Sequence, residues 1–188
     1  MMGEQLSQET IYLLVNMANL GKQALWLRGA NLQGVYLVGA NLEGAILGEA
    51  NLKGANLERS LLKGANLEST HLEGANLRGA NLEGANLYTS HLVTADLQAA
   101  YLGGANLGGA NLGSANLRGA QLEGTNLFRA NLSETNLFRA KLNEANLGGA
   151  FVRAATLEGA DLKGAKYDRE TIWPNGFDPK SAGALLVE

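Results

Sequence analysis

Residues 72–87 read LEGANLRGANLEGANL, the five-residue phrase A-N-L-x-G stated twice and begun a third time. Variations on it run from Leu25 to Arg169. With the central Leu taken as position i, it recurs at 27, 32, 37 and every fifth residue to 162, with Val152 as a substitute, and Tyr167 closes the series. That makes 29 consecutive pentapeptides without an insertion. Position i−2 is small: mostly Ala, with Ser60, Thr70, Ser90, Thr125 and Thr135 in its place and Leu25 and Val35 as exceptions. Position i−1 is usually Asn, i+1 varies freely, and i+2 is Gly in 16 of 29 units.

A period of five fits neither a 3.6-residue helix nor a period-2 strand. Regularly spaced glycines would also melt a helix, at about 1 kcal/mol each relative to Ala. A short fixed period instead predicts a solenoid, in which each unit buries its apolar side only against stacked neighbours. If i and i−2 point inward, each pentapeptide is a short extended stretch followed by a corner. Gly at i+2 supplies the positive φ that a type II turn requires at its third residue. Four corners then close a 20-residue coil, and residues 20 apart share a face. The prediction is an all-β solenoid of about seven coils, roughly 34 Å tall at ~4.8 Å per stacked strand.

Residues 1–24 stand outside the repeat. Ile11, Leu14, Val15 and Ala18 fall at i, i+3, i+4 and i+7, which predicts a short capping helix over about 8–20, with Ser7 as N-cap and Gly21 ending it. The opening MMGEQLSQET carries Glu4 and Glu9 and no long apolar core, so it is not expected to be a secretory signal. At the other end, Pro174 stops the pattern, Asn175-Gly176 turns the chain, and Trp173 and Phe177 are expected to lie on the last coil. Residues 181–188 are expected to fray. The domain division expected is 1–24 helical cap, 25–169 repeat, and 170–188 C-terminal cap and tail.

The pattern Ala75-Asn76-Leu77, Ala80-Asn81-Leu82, Ala95-Asp96-Leu97 and Ala160-Asp161-Leu162 resembles the A-[N/D]-L-x-x signature of the pentapeptide-repeat family. That resemblance implies a right-handed quadrilateral β-helix. The uninterrupted Leu-rich form and the segment from Thr171 to Pro179 are similar to members abundant in cyanobacteria. The family includes inhibitors or protectors of DNA gyrase that imitate DNA in shape and charge, and regulators of heterocyst differentiation.

The chain has a net charge of −3 and no Cys, so neither a basic nucleic-acid footprint nor disulfide chemistry is expected. No apolar run is long enough for a membrane helix, and a cytoplasmic location is expected. Sorted by face, the outward charges sum to values between −2 and +1, without the rows of carboxylates that a DNA mimic needs. No nucleophile and base stand at a motif spacing, and the G-x-x-x-x-G spacing is never followed by Lys-Ser or Lys-Thr. No enzymatic activity and no cofactor are expected. His71 and His91, the only histidines, are 20 apart and should stack; Glu73, the nearest carboxylate, is placed at a different angle, so no metal site is expected. Departures from Asn at i−1, and the aromatics, mark the candidate interaction surface: Leu61, His71, Tyr88, His91, Tyr101, Phe128 and Phe138. The function expected is a non-catalytic scaffold for an unknown protein partner, monomeric or weakly dimeric, with a DNA-mimicking gyrase inhibitor or protector as the alternative. Neither a membrane partner nor direct nucleic-acid binding is expected.

Overall fold

Four pentapeptides make one turn of the column, and each unit meets its equivalent 20 residues on. In the computed structural model, the i−1 residue of every unit from Trp26 to Asn146 forms a parallel bridge to that equivalent, Trp26 to Ile46 at the start and Asn146 to Lys166 at the end. The structure describes residues 6–21 and 23–188; Glu4 and the rest of the opening residues of the 1–24 cap lie outside it. The chain is thus a β-helix of single-bridge rungs, preceded by α1 (Gln8–Gly21) and closed by β1 (Lys166–Tyr167) pairing in parallel with β2 (Leu185–Leu186). Leucines at i from Leu32 to Leu147 are 0–2% exposed, and the alanines at i−2 between Ala45 and Ala150 are 0–1% exposed. Each rung therefore alternates inward i−2, outward i−1, inward i, as period-2 backbone requires.

The hydrogen bonds explain why Asn occupies i−1. The N–H of i donates to the next coil (Leu72 N to His91 O, 2.7 Å), and so does that of i+2 (Gly74 N to Val93 O, 3.0 Å). The N–H of i−1 donates to the previous coil (His91 N to Thr70 O, 2.9 Å), and that of i−2 closes the turn onto i (Ala75 N to Leu72 O, 3.0 Å). Only the N–H of i+1 has no backbone carbonyl. In every unit with Asn or Asp at i−1, the side-chain Oδ1 accepts it, as Asn76 does from Arg78 N–H at 3.1 Å. The buried hydroxyls at i−2 are satisfied by Leu carbonyls, Ser60 by Leu57 at 2.8 Å and Thr125 by Leu102 at 2.9 Å.

The corner at i+2 is left-handed whatever the residue. Gly84 has φ 62° and Ala99 has φ 55°, and eleven further non-glycine residues adopt the same region. A left-handed L-residue costs roughly 1–2 kcal/mol, part of it returned by the smaller unfolded-state entropy relative to Gly. Gly84→Ala is therefore expected to lower stability by about 1 kcal/mol in chemical denaturation, and Ala99→Gly to be neutral or slightly stabilising.

α1 covers the first coil. Ile11 and Val15 are buried, and Leu14 and Ala18 pack partly against the leucine core, the face read from the sequence. Ser7 Oγ accepts the Thr10 N–H at 3.2 Å, the N-cap expected of it, and Gly21 is the last helical residue. Gln8 replaces a missing coil beneath Tyr36: its Nε2 donates to the Tyr36 carbonyl (2.8 Å) and its Oε1 accepts the Tyr36 N–H (2.9 Å). An open ladder edge is thereby closed by one carboxamide.

At the other end the tail does not fray, which corrects the expectation for residues 181–188. Leu185 N–H donates to Ala165 O at 2.7 Å and Val187 N–H to Tyr167 O at 2.8 Å, so β2 continues the ladder. The repeat hides this because one residue is inserted: Phe151 bridges Ile172, 21 residues on, while Lys166 pairs with Leu185, 19 on. The turn moves to Arg169–Glu170. Trp173 and Phe177 pack on the last coil as expected, their rings 5.2 Å apart and Trp173 edge-on to Tyr167 at 5.6 Å. Gly176 has φ 78° at the third position of the 174–177 turn.

Asp168 holds the insertion together. Its Oδ1 accepts from Gly149 N–H (2.9 Å), where a backbone carbonyl serves in regular coils, and from Glu170 N–H (2.9 Å), Thr171 N–H (3.0 Å) and the Thr171 hydroxyl (3.1 Å). Burial pushes this carboxyl up, but those bonds outweigh it and hold it below its ordinary range. A depressed folded value contributes stability that is fully present above the unfolded carboxyl pKa, about 3.9, and is lost as pH falls through the folded value. Asp168→Asn is expected to lower the melting temperature at pH 7, with the difference from the parent shrinking below about pH 4 in a pH series of thermal melts.

Candidate functional site

With the interior filled, only outward side chains can meet a partner. Several outward charges are paired along the stack: Lys53 with Glu73 (3.2 Å), Lys63 with Glu83 (3.1 Å), Arg78 with Asp96 (3.3 Å), Lys141 with Glu123 (3.8 Å) and Arg129 with Glu170 (3.7 Å). Such exposed pairs are worth about 0–1 kcal/mol and neutralise the faces they lie on. The asparagine stack at 66, 86, 106, 126 and 146 is linked side chain to side chain from Asn86 upward, with Asn126 Nδ2 donating to Asn106 Oδ1 at 2.9 Å.

The aromatics expected at the surface have local tasks. A Cβ built on Gly108 would stand 3.2 Å from Tyr88 Cδ2, and one on Gly148 would stand 3.2 Å from Phe128 Cδ2. Each ring therefore leans across the glycine of the next coil, covering backbone that has no side chain of its own. Tyr88 and Phe128 nonetheless remain exposed, as do Leu61 and Tyr101. Phe138 does not: it is half-buried, with the Arg118 guanidinium 4.9 Å and the Arg139 guanidinium 5.0 Å from its ring centroid. This corrects its place among the exposed anchors, because two flexible cations on neighbouring positions fold over the ring face.

His71 and His91 stack as expected, with centroids 4.9 Å apart and planes 10° from parallel. Glu73 does not point away from them, which corrects the angular argument made from the sequence. One nitrogen of each ring and a carboxylate oxygen of Glu73 lie within 4.8 Å of one another. With no Asn Oδ1 at position 71 to take the Glu73 N–H, the Glu73 carboxylate folds back onto its own amide. Burial pushes that carboxyl up, but its own N–H, Lys53 and His71 together bring it below the ordinary range.

The surface thus follows repeat geometry throughout, and the repeat has a known counterpart. A family model described as Pentapeptide repeats matches residues 27–64, 59–92, 95–134 and 135–166, in 8 copies. The chain belongs to the pentapeptide-repeat family. Among solved structures, this pentapeptide-repeat protein is similar to HetL, a pentapeptide repeat protein involved in heterocyst differentiation regulation from the cyanobacterium Nostoc sp. strain PCC 7120. The two are 31% identical, the match covers 87% of this chain and 70% of HetL, and the TM-score is 0.75. It is also similar to alr5209, a pentapeptide repeat protein from Nostoc PCC 7120, at 38% identity over 62% of this chain and 84% of that one, with a TM-score of 0.36. QnrB1, a plasmid-mediated fluoroquinolone resistance protein, matches at 18% identity over 86% of this chain and 82% of its own, with a TM-score of 0.42. No match is found among curated proteins.

Two features of this pentapeptide-repeat protein escape the sequence reading. One is Glu73 beside the histidine pair. The other is a second apolar stripe on α1: Leu13, Met17 and Leu20 fall at i, i+4 and i+7, face away from the coil and are 64–87% exposed. Trp26, at 76% exposed, and Tyr36 add exposed apolar groups at the same end of the molecule, on opposite faces of the column because they lie half a coil apart. The spacing of Leu13, Met17 and Leu20 is visible in the sequence, but the first stripe already accounts for the helix. Among the described residues no helix is long and apolar enough to cross a membrane.

Proposed function

We propose that this protein is a non-catalytic scaffold that binds a protein partner through side chains on a right-handed, four-sided column of about seven coils. The division into a 1–24 cap, a 25–169 column and a 170–188 end is part of that reading, as are a cytoplasmic location and a monomeric or weakly dimeric state. The observation that carries it is the apolar surface left at the N-terminal end, where Leu13, Met17, Leu20, Trp26 and Tyr36 stand in solvent while the interior is closed by leucine. An exposed apolar stripe such as Leu13, Met17 and Leu20 form on α1 marks a binding surface. The likeness to HetL, itself described as involved in regulation, agrees with a role in binding.

The test is photo-crosslinking in an extract of the native host, with a photoreactive residue placed at Trp26 or at Tyr101. A discrete adduct from position 26, lost when Leu13 and Met17 are both changed to Ser, is expected. Identical adducts from both positions, or none, would sink the reading. The DNA-mimic alternative gains nothing from the surface, because Glu73, Glu83, Asp96 and Glu123 are each paired with a cation on the column. No effect on gyrase supercoiling is expected at micromolar protein.

A further inference from the structure

We propose that His71, Glu73 and His91 form a binding site for one divalent first-row transition metal ion of the zinc, nickel or copper class. Nitrogen donors from two imidazoles and one carboxylate oxygen are the donor set these ions take, whereas Mg²⁺ and Ca²⁺ prefer all-oxygen sites. The three donors already lie within 4.8 Å of one another. Around a tetrahedral ion bound at about 2.0–2.1 Å they would stand roughly 3.3 Å apart, so each has only about 1 Å to move. The rings can make that movement, because His71 is half-buried and His91 exposed.

The scaffold supplies what a flexible pair of histidines lacks. His71 and His91 bridge each other in the ladder, so their Cα spacing is fixed by backbone hydrogen bonds, His91 N to Thr70 O and Leu72 N to His91 O among them. The ordering is complete before the ion arrives, which removes much of the entropic cost of chelation. Glu73 also carries a mark of an incomplete site. Its Oε1 accepts from Lys53 Nζ (3.2 Å) and lies 3.4 Å from His71 Nδ1, while its Oε2 is buried with no hydrogen-bond partner among the described residues. A buried carboxylate oxygen without a donor is destabilising, and a cation at the three donors would relieve it. Lys53 is then a competitor: its ammonium holds the carboxylate from the outside, on a half-exposed side chain free to swing away. Three protein donors leave at least one coordination position for water or for a side chain of a bound partner.

The neighbours of the pair provide a variant that keeps the fold. In the same stack Asn51 donates to Asn31 and Asn131 to Asn111, so the histidines interrupt an asparagine ladder. Changing both His71 and His91 to Asn restores the ladder, offers the Val93 N–H the Oδ1 acceptor that Asn supplies elsewhere, and gives the Glu73 N–H an acceptor other than its own carboxylate. That double variant is expected to melt no lower than the parent while losing all metal binding.

The experiment is isothermal titration of the intact chain, made without a histidine tag, with ZnCl2, NiCl2, MgCl2 and CaCl2. With only two histidines in the chain, an imidazole-dependent signal has one source. Zinc and nickel are expected to bind one ion per chain in the micromolar range, and magnesium and calcium not at all. Glu73→Gln is expected to weaken zinc at least about tenfold, as loss of a ligating group should. Lys53→Met is expected to tighten it by removing the competing ammonium. No saturable zinc or nickel binding in the parent, or binding retained in the H71N/H91N variant, overturns the proposal. Unchanged affinity in Glu73→Gln overturns the three-ligand site in favour of a simple imidazole pair.

Discussion

Leu112→Asp is expected to abolish the folded column at 25 °C. Leu112 is 0% exposed, in the interior of a mid-column coil, and its N–H is bonded to Asn131 O at 2.8 Å. Removing a buried leucine costs about 2–5 kcal/mol from lost burial and the cavity left behind. A carboxylate in its place adds several kcal/mol more, because no donor lines the leucine interior. The sum reaches the ~5–15 kcal/mol that holds a domain together. A solenoid also carries its stability through nearest-neighbour contacts, so a broken middle coil leaves two short stacks that each lose a covered end. Circular dichroism against temperature is the measurement, with Leu112→Ala, at about 3 kcal/mol, as the graded control. A Leu112→Asp protein with the parent's melting temperature would show that position i does not face inward.

Asn126→Ala carries the second-largest expected effect, about 3 kcal/mol, for a residue on the outside of the molecule. Asn126 makes three bonds: its Oδ1 accepts from Phe128 N–H (3.1 Å) and Asn146 Nδ2 (3.3 Å), and its Nδ2 donates to Asn106 (2.9 Å). At about 1 kcal/mol each, their loss lowers the melting temperature by roughly 10 °C in a chain of this size. Among the described residues Asn41 makes only the bond to Glu43 N–H (3.1 Å), because Leu61 stands in the next coil and offers no amide. Asn41→Ala is therefore expected to cost only about 1 kcal/mol. Equal melting temperatures for the two variants would show that the amide ladder contributes nothing beyond the local turn.

The two substitutions also separate what the repeat makes legible from what it does not. Leu112 as an inward residue follows from the period, since no other alternation buries a leucine every fifth position. The tie between stacked asparagines is legible too, from their 20-residue spacing. The local task of Asn, to accept the i+1 N–H, is visible only once the other four amides of the unit have been traced to their carbonyls. The tail is hidden for a different reason. After Tyr167 the inserted residue shifts the side-chain pattern, while the last coil still presents open carbonyls at Ala165 and Tyr167 that Leu185 and Val187 take up.

By itself, the sequence determined the β-helix, its 20-residue register, the leucine interior, the left-handed corners and the capping face of α1. Those follow because an inward residue of the wrong size or polarity costs kilocalories at every rung, so a periodic pattern admits one stacking. Only the tertiary structure decided the convergence of Glu73 on His71 and His91, the arginine cover over Phe138, the rings lying on Gly108 and Gly148, and the closing strand at Leu185–Leu186. Outward side chains meet no packed wall; their directions are set by the neighbours 18 to 21 residues away that happen to offer a donor, a cation or a bare glycine.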